Sequence, residues 1–130
     1  MAVSALDNIG RTPFHMASNY GHLHIVKFLL ECGVNVNIRS GSGETPLYMA
    51  SAAGKIDIVC FLIEHGADIN IKDNDDWNPL HITSQNGHLN VVRLLIDTGT
   101  LIDIWNWDLK IPLALASSKG NIKVGHFLIK

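Results

Sequence analysis

The sequence predicts an all-α solenoid of short helix-turn-helix units, stacked side by side and joined by β-hairpin-like arms. Three observations carry this reading. Thr12-Pro13, Thr45-Pro46, Asn78-Pro79 and Ile111-Pro112 each follow one another by 33 residues. Gly21, Gly54, Gly87 and Gly120 keep the same step, as do Gly33, Gly66 and Gly99. The apolar rows keep it too: Ile25, Ile58, Val91 and Val124; Leu29, Leu62, Leu95 and Leu128; Leu30, Ile63, Ile96 and Ile129. Columns held in register without one insertion or deletion mark an internal repeat. The expected organisation is a single domain over residues 1–130 with repeats 7–39, 40–72, 73–105 and 106–130.

The first unit shows why each piece forms. Asp7-Asn8-Ile9-Gly10 is a turn cluster, with Asp to bond the backbone and Gly for a positive φ. Thr12 caps a helix whose first turn holds Pro13, where a missing N–H costs nothing. That helix carries Phe14, Met16 and Ala17 and stops at Gly21. A second helix sets Leu23, Val26, Leu29 and Leu30 in one buried stripe and ends at Cys32-Gly33. Val34-Asn35-Val36-Asn37-Ile38 then alternates as a short extended arm. Neither helix hides its apolar side alone, so neighbouring units must stack to bury it.

Thr12-Pro13-Phe14-His15-Met16-Ala17, Thr45-Pro46-Leu47-Tyr48-Met49-Ala50 and Asn78-Pro79-Leu80-His81-Ile82-Thr83 resemble the Thr-Pro-Leu-His-x-Ala signature of the ankyrin-repeat family. The tract from Gly21 to Leu30 is similar to that family's second helix, and the resemblance runs from about Asp7 to Lys130. It implies that His15 and His81 tie turn to helix by hydrogen bonds. It also implies a concave groove, made by the arm tips and the first helices, that holds a protein partner. Modification of Asn37 or Asn70, as asparagine hydroxylation in some members, is left open.

Carried onto this chain, the groove reading selects Arg11, Arg39, Glu44, Lys72, Asp75 and Lys110 at or beside the tips, and Tyr20 on the first helix. Trp77, Trp105 and Trp107, the chain's three tryptophans, all fall in these columns and none in a core column. Tryptophan, tyrosine and arginine are enriched among residues that dominate binding energy. A structural alternative stands beside this: Trp105 packs between adjacent arms, and Trp107 covers the turn where Leu109 replaces glycine. Tyr48 occupies the His column and reads as half-structural.

The ends depart from the pattern. In the fourth repeat Leu109 stands where Gly10 and Gly43 stand, Ile111 replaces the capping Thr, and Gly125 replaces Val26, Val59 and Val92. These read as a worn C-terminal cap. Repeat one keeps its apolar residues Met16, Ile25 and Phe28 with no polar substitution for a solvent face. Further repeats, a partner or a second copy is expected to cover that side.

Other functions find little support. Hydrophobic residues make up 47% and charged residues 17%, enough for a buried core, with a net charge of -2 and a pI near 6.3. Trp77, Trp105 and Trp107 offer stacking surfaces and Lys72, Lys110 and Lys119 some positive charge, but Asp73, Asp75, Asp76, Asp103 and Asp108 surround them, which argues against nucleic acid. No apolar run reaches the roughly 18 residues of a membrane span. Cys32 and Cys60 match neither a metal spacing nor a disulfide framework and read as reduced thiols. His22-Leu23-His24 lacks the Cys or carboxylate that would complete a metal set, and His65 and His126 read as surface residues. Ser42 between Gly41 and Gly43 is a turn residue, and no nucleophile elbow, phosphate loop or dinucleotide fingerprint occurs. The expectation is a non-enzymatic scaffold, adaptor or inhibitor without cofactor or metal, cytoplasmic or nuclear, binding a protein. The alternative is a partner-recruiting domain of a larger protein or enzyme.

Overall fold

The computed structural model describes residues 10–98; Trp105, Trp107, Lys110 and the fourth repeat lie outside the described residues. Six helices form three pairs: α1 (Pro13–Tyr20) with α2 (Leu23–Glu31), α3 (Pro46–Ala53) with α4 (Ile56–Glu64), and α5 (Pro79–Asn86) with α6 (Leu89–Thr98). Each first helix opens on an extended cap residue, Thr12, Thr45 or Asn78, whose side chain accepts the N–H of the residue three positions on. Proline follows each cap, and a left-handed glycine, Gly21, Gly54 or Gly87, closes each helix.

The helices stack in two rows. First helices touch one another much more extensively than second helices do. Small buried residues allow it: Ala17 and Ser18, Ala50 and Ser51, and Thr83 and Ser84 line the inner row. Between the rows, Phe14, Val26, Leu29, Leu47, Ile58, Leu62, Leu80, Val91 and Leu95 form one continuous core. Leu23 and Leu30, expected in the buried stripe of α2, pack against it while partly exposed.

Among the described residues no strand is formed, and the segment 34–38 expected as an extended arm carries a turn at 36–37. Asn35 is the reason. Its side chain accepts the N–H of Asn37 at 3.0 Å and its carbonyl accepts the N–H of Ile38 at 3.1 Å. A local side-chain bond of this kind folds the backbone back before a ladder begins. Asp68 repeats the device by accepting the N–H of Asn70 at 2.9 Å. The apolar alternation still counts, because Val34, Val36 and Ile38 pack on the core.

Candidate partner-binding face

The tips are built on one residue per repeat. In the second repeat Ser40 Oγ accepts the N–H groups of Ser42 and Glu44, both at 3.2 Å. In the third, Asp73 Oδ1 accepts those of Asp75 at 2.8 Å and Trp77 at 3.0 Å. Backbone bonds Ser40 N–H to Glu44 O and Asp73 N–H to Trp77 O, both 2.8 Å, close the same turns. These are Asx- and Ser-type turns, in which a short polar side chain does what a ladder does elsewhere.

Cross-repeat bonds then fix one tip to the next. Asn74 donates its backbone N–H to Ser42 O at 2.9 Å and its side-chain amide to Gly41 O at 3.0 Å. Arg39 donates Nε to Gly43 O at 3.2 Å and Nη2 to Lys72 O at 3.0 Å. Tyr48 donates its hydroxyl to Asp73 Oδ2 at 2.8 Å. Lower down, Asn37 Oδ1 accepts the N–H of Asp68 at 2.9 Å, and Asn86 and His88 both donate to Ala52 O. Tips two and three are therefore one rigid ledge.

His15 shows how the ledge is tied to the helices. Thr12 donates its backbone N–H to Nδ1 at 3.0 Å, which requires a lone pair there. The proton then sits on Nε2, which donates to Glu44 O at 2.8 Å and Ile38 O at 3.1 Å. One neutral ring links cap, arm and the following tip. His81 makes the same cap contact with the N–H of Asn78 at 2.9 Å. His22, His24 and His65 lie exposed, His65 stacked on Phe61 at 4.0 Å.

A family model for ankyrin repeats in three copies matches residues 2–73, and another for ankyrin repeats in many copies matches residues 54–96. The chain belongs to the ankyrin-repeat family. No curated protein matches it. Ankyrin repeats generally mediate protein–protein interaction and are typically non-catalytic. No helix among the described residues is long and apolar enough to cross a membrane.

Set against this ankyrin stack, the residues selected from the sequence take different places. Tyr20 is well exposed at the end of α1, and Asp75 is exposed at tip three. Trp77 is half-buried, its ring edge-on to His81 with centroids 6.1 Å apart. Arg39 is exposed but commits two donors to backbone carbonyls. Lys72 is half-buried, and its carbonyl takes one of those bonds. Glu44 and Arg11 are half-buried at the first two tips.

The ledge is rich in carboxylates. Burial raises the Glu44 carboxyl above its ordinary value, and the charge of Asp73 adds to the effect. A hydrogen bond from Ser40 and the charge of Arg11 oppose it. Asp75 and Asp76 stand exposed beside them. The run Asp73, Asp75 and Asp76 reads from sequence as a solvated turn, and for Asp73 this is incomplete: it is half-buried and is the hub of the tip. The available signal was its column, where Asp7 and Ser40 are also turn-forming residues.

Asp76 is exposed in the turn as read from the sequence, and its backbone adds a feature that this reading did not include. It holds φ +64° in the column of Gly10 and Gly43, and is the single non-glycine residue with positive φ among those described. On the opposite, second-helix side a cleft of about 390 Å³ is lined by Lys27, Leu30, Glu31, Phe61 and His65. Lys27 Nζ lies 5.5 Å from the Phe61 ring centre, which gives that cleft one polar and one aromatic wall.

Proposed function

We propose that this array is a non-catalytic scaffold, adaptor or inhibitor that holds a protein partner in the groove between its tips and first helices. One observation carries the reading. Arg39, Asn74, Tyr48 and His15 lock consecutive tips together, so the face that displays Asp75, Asp76 and the edge of Trp77 is preorganised. A rigid face spends little entropy when it binds. Within it we assign Trp77, Tyr20 and Asp75 as contacts, and Trp105, Trp107 and Lys110 extend the same columns in the sequence. Arg11, Glu44 and Lys72 flank them, and Arg39 contributes by holding the ledge. The single domain of four repeats, the hairpin-like character of the arms and a cytoplasmic or nuclear setting belong to the same proposal.

Full-length protein carrying Trp77→Ala and Trp107→Ala is expected to lose capture of groove partners in a pull-down beside the wild type. A convex-side control, Lys27→Glu, is expected to leave capture intact. Loss with the control and retention with the double variant would reverse the assignment of the face. The alternative is that the array recruits partners for a larger protein. It shares this groove and differs only in what is attached.

A further inference from the structure

In the third repeat the residue before the helix stop Gly87 is Asn86, the last residue of α5. Gly87 holds φ +79°, a backbone that favours glycine, so the stack fixes glycine at this place. The residue before it is not fixed: Tyr20, Ala53 and Lys119 stand in the same column of the other repeats. Of the chain's asparagines, Asn86 alone is followed by glycine. That pair is chemically labile, because Gly87 has no Cβ to screen its backbone nitrogen from the side-chain carbonyl carbon of Asn86.

The step balances with water as the one co-reactant. The Gly87 nitrogen gives its proton to solvent base and attacks Asn86 Cγ. The new N–Cγ bond closes a cyclic imide, the Cγ–Nδ2 bond breaks, and Nδ2 leaves as ammonia. Water then opens the imide. Attack at Cγ leaves aspartate in the ordinary chain, and attack at the Asn86 backbone carbonyl leaves isoaspartate, whose chain runs through Cγ. Either way one amide and one water become one carboxylic acid and one ammonia.

The fold holds both reacting groups in other bonds. Asn86 Nδ2 donates to Ala52 O of the second repeat at 2.8 Å, and the Gly87 N–H donates to Ser84 O at 3.2 Å. The helix end must open and the inter-repeat bond must break before the nitrogen can attack. Asn86 is exposed, so water and base reach it once they do. His88 shares the acceptor, with Nε2 3.0 Å from Ala52 O, and its ring lies close over Gly54. We propose that Asn86 is a site of spontaneous, irreversible conversion to aspartate and isoaspartate, gated by opening of the seam between α3 and α5. Conversion removes a donor to Ala52 O and sets an acceptor-only carboxylate beside that carbonyl. The seam that protected the amide is then weaker than before.

The full chain, folded or unfolded in urea, is incubated at neutral and at alkaline pH and then cut with trypsin. Mass spectrometry of the fragment from Asp73 to Arg93 reads Asn86 beside Asn74, Asn78 and Asn90 as internal references. Asn86 is expected to convert ahead of all three, faster at the higher pH, and more slowly folded than unfolded. His88→Ala, which removes the companion donor, should raise the folded-state rate about 5-fold, the change in open population that loss of one ordinary hydrogen bond gives. Urea below the unfolding midpoint should raise the wild-type rate in the same direction, which serves if that variant does not fold. Converted chain, separated by its added charge, should unfold at a lower urea midpoint than unconverted chain. Conversion of Asn74 or Asn90 ahead of Asn86, or equal rates folded and unfolded, overturns the proposal. So does a folded His88→Ala chain that converts no faster than the wild type, or a converted chain with an unchanged midpoint.

Discussion

Tyr48 and His15 stand in one column, yet they secure the stack by different means. His15 reaches the carbonyls of Ile38 and Glu44 through its ring nitrogen, while the Tyr48 hydroxyl passes beyond that level to the carboxylate of Asp73. Both are buried. The exchange converts a side chain-to-backbone tie into a bond with an ionised acceptor, and that bond makes Asp73 the hub of the third tip.

Tyr48→Phe is expected to destabilise the fold by about 1.5–2 kcal/mol, the lower part of the range for bonds to charged groups, because Asp73 keeps some contact with water. Burial raises the Tyr48 hydroxyl above its ordinary value of 10.0, with the hydrogen bond and charge of Asp73 adding to it. A raised value in the folded state means that the folded chain holds the proton longer than the unfolded one. The associated stability is therefore present below pH 10.0 and declines as pH rises past it. Urea titrations from pH 8 to 11 should show that alkaline decline in the wild type and a smaller one in Tyr48→Phe.

Glu44→Gln is expected to be neutral or mildly stabilising at pH 7, by about 0.5 kcal/mol or less once solvent screening is allowed for. The sign follows from a carboxyl raised above 4.5 by burial and by Asp73. Its folded form prefers the proton, so the ionised group opposes folding as pH rises above 4.5. The gain should vanish below that value in paired denaturation curves, and a loss at pH 7 would show that the Ser40 bond outweighs burial.

His15→Leu removes an acceptor for Thr12 N–H and a donor for two carbonyls in one step. A cost of about 3 kcal/mol is expected, since buried polar partners are left unmade. Thermal unfolding followed by circular dichroism measures it, and a change under 1 kcal/mol, roughly one ordinary bond, would mean that water replaces the ring.

Ser18 and Ser51 are fully buried, and the hydroxyl of each has no hydrogen-bond partner among the described residues. Ser18→Ala and Ser51→Ala are each expected to stabilise the protein by about 1 kcal/mol, through relief of an unpaired hydroxyl and better helix propensity. A shift of the urea midpoint to lower concentration in either variant would contradict this.

Gly43 has φ +84°, and a Cβ there would lie 2.5 Å from Asn74 Oδ1 and 2.8 Å from Asn74 N. Gly43→Ala should cost at least about 1 kcal/mol from the left-handed backbone alone. Asp76→Gly, at the matching place in the third repeat, should bring a gain of about 0.5 kcal/mol or more for the same reason. Chemical denaturation of the two variants side by side tests the pair, and equal signs would sink it.

The sequence by itself determined the 33-residue period, the limits of the helices and the roles of Thr12, Thr45, Asn78 and the glycine stops. These are legible because a cap or a stop acts within four residues of itself, so spacing along the chain is enough. It also marked the tip columns, since turn formers cluster there. The arm was less legible, because alternating Val, Asn and Ile fits a strand and a turn equally well until Asn35 takes the N–H of Asn37. Only the tertiary structure decided what joins one repeat to another. The Tyr48–Asp73, Arg39–Lys72 and Asn74–Gly41 bonds link residues 25 or 33 positions apart. It likewise separated Ile25 from Ile58, two residues that are alike in type and column, because burial depends on whether a neighbouring helix lies against the face.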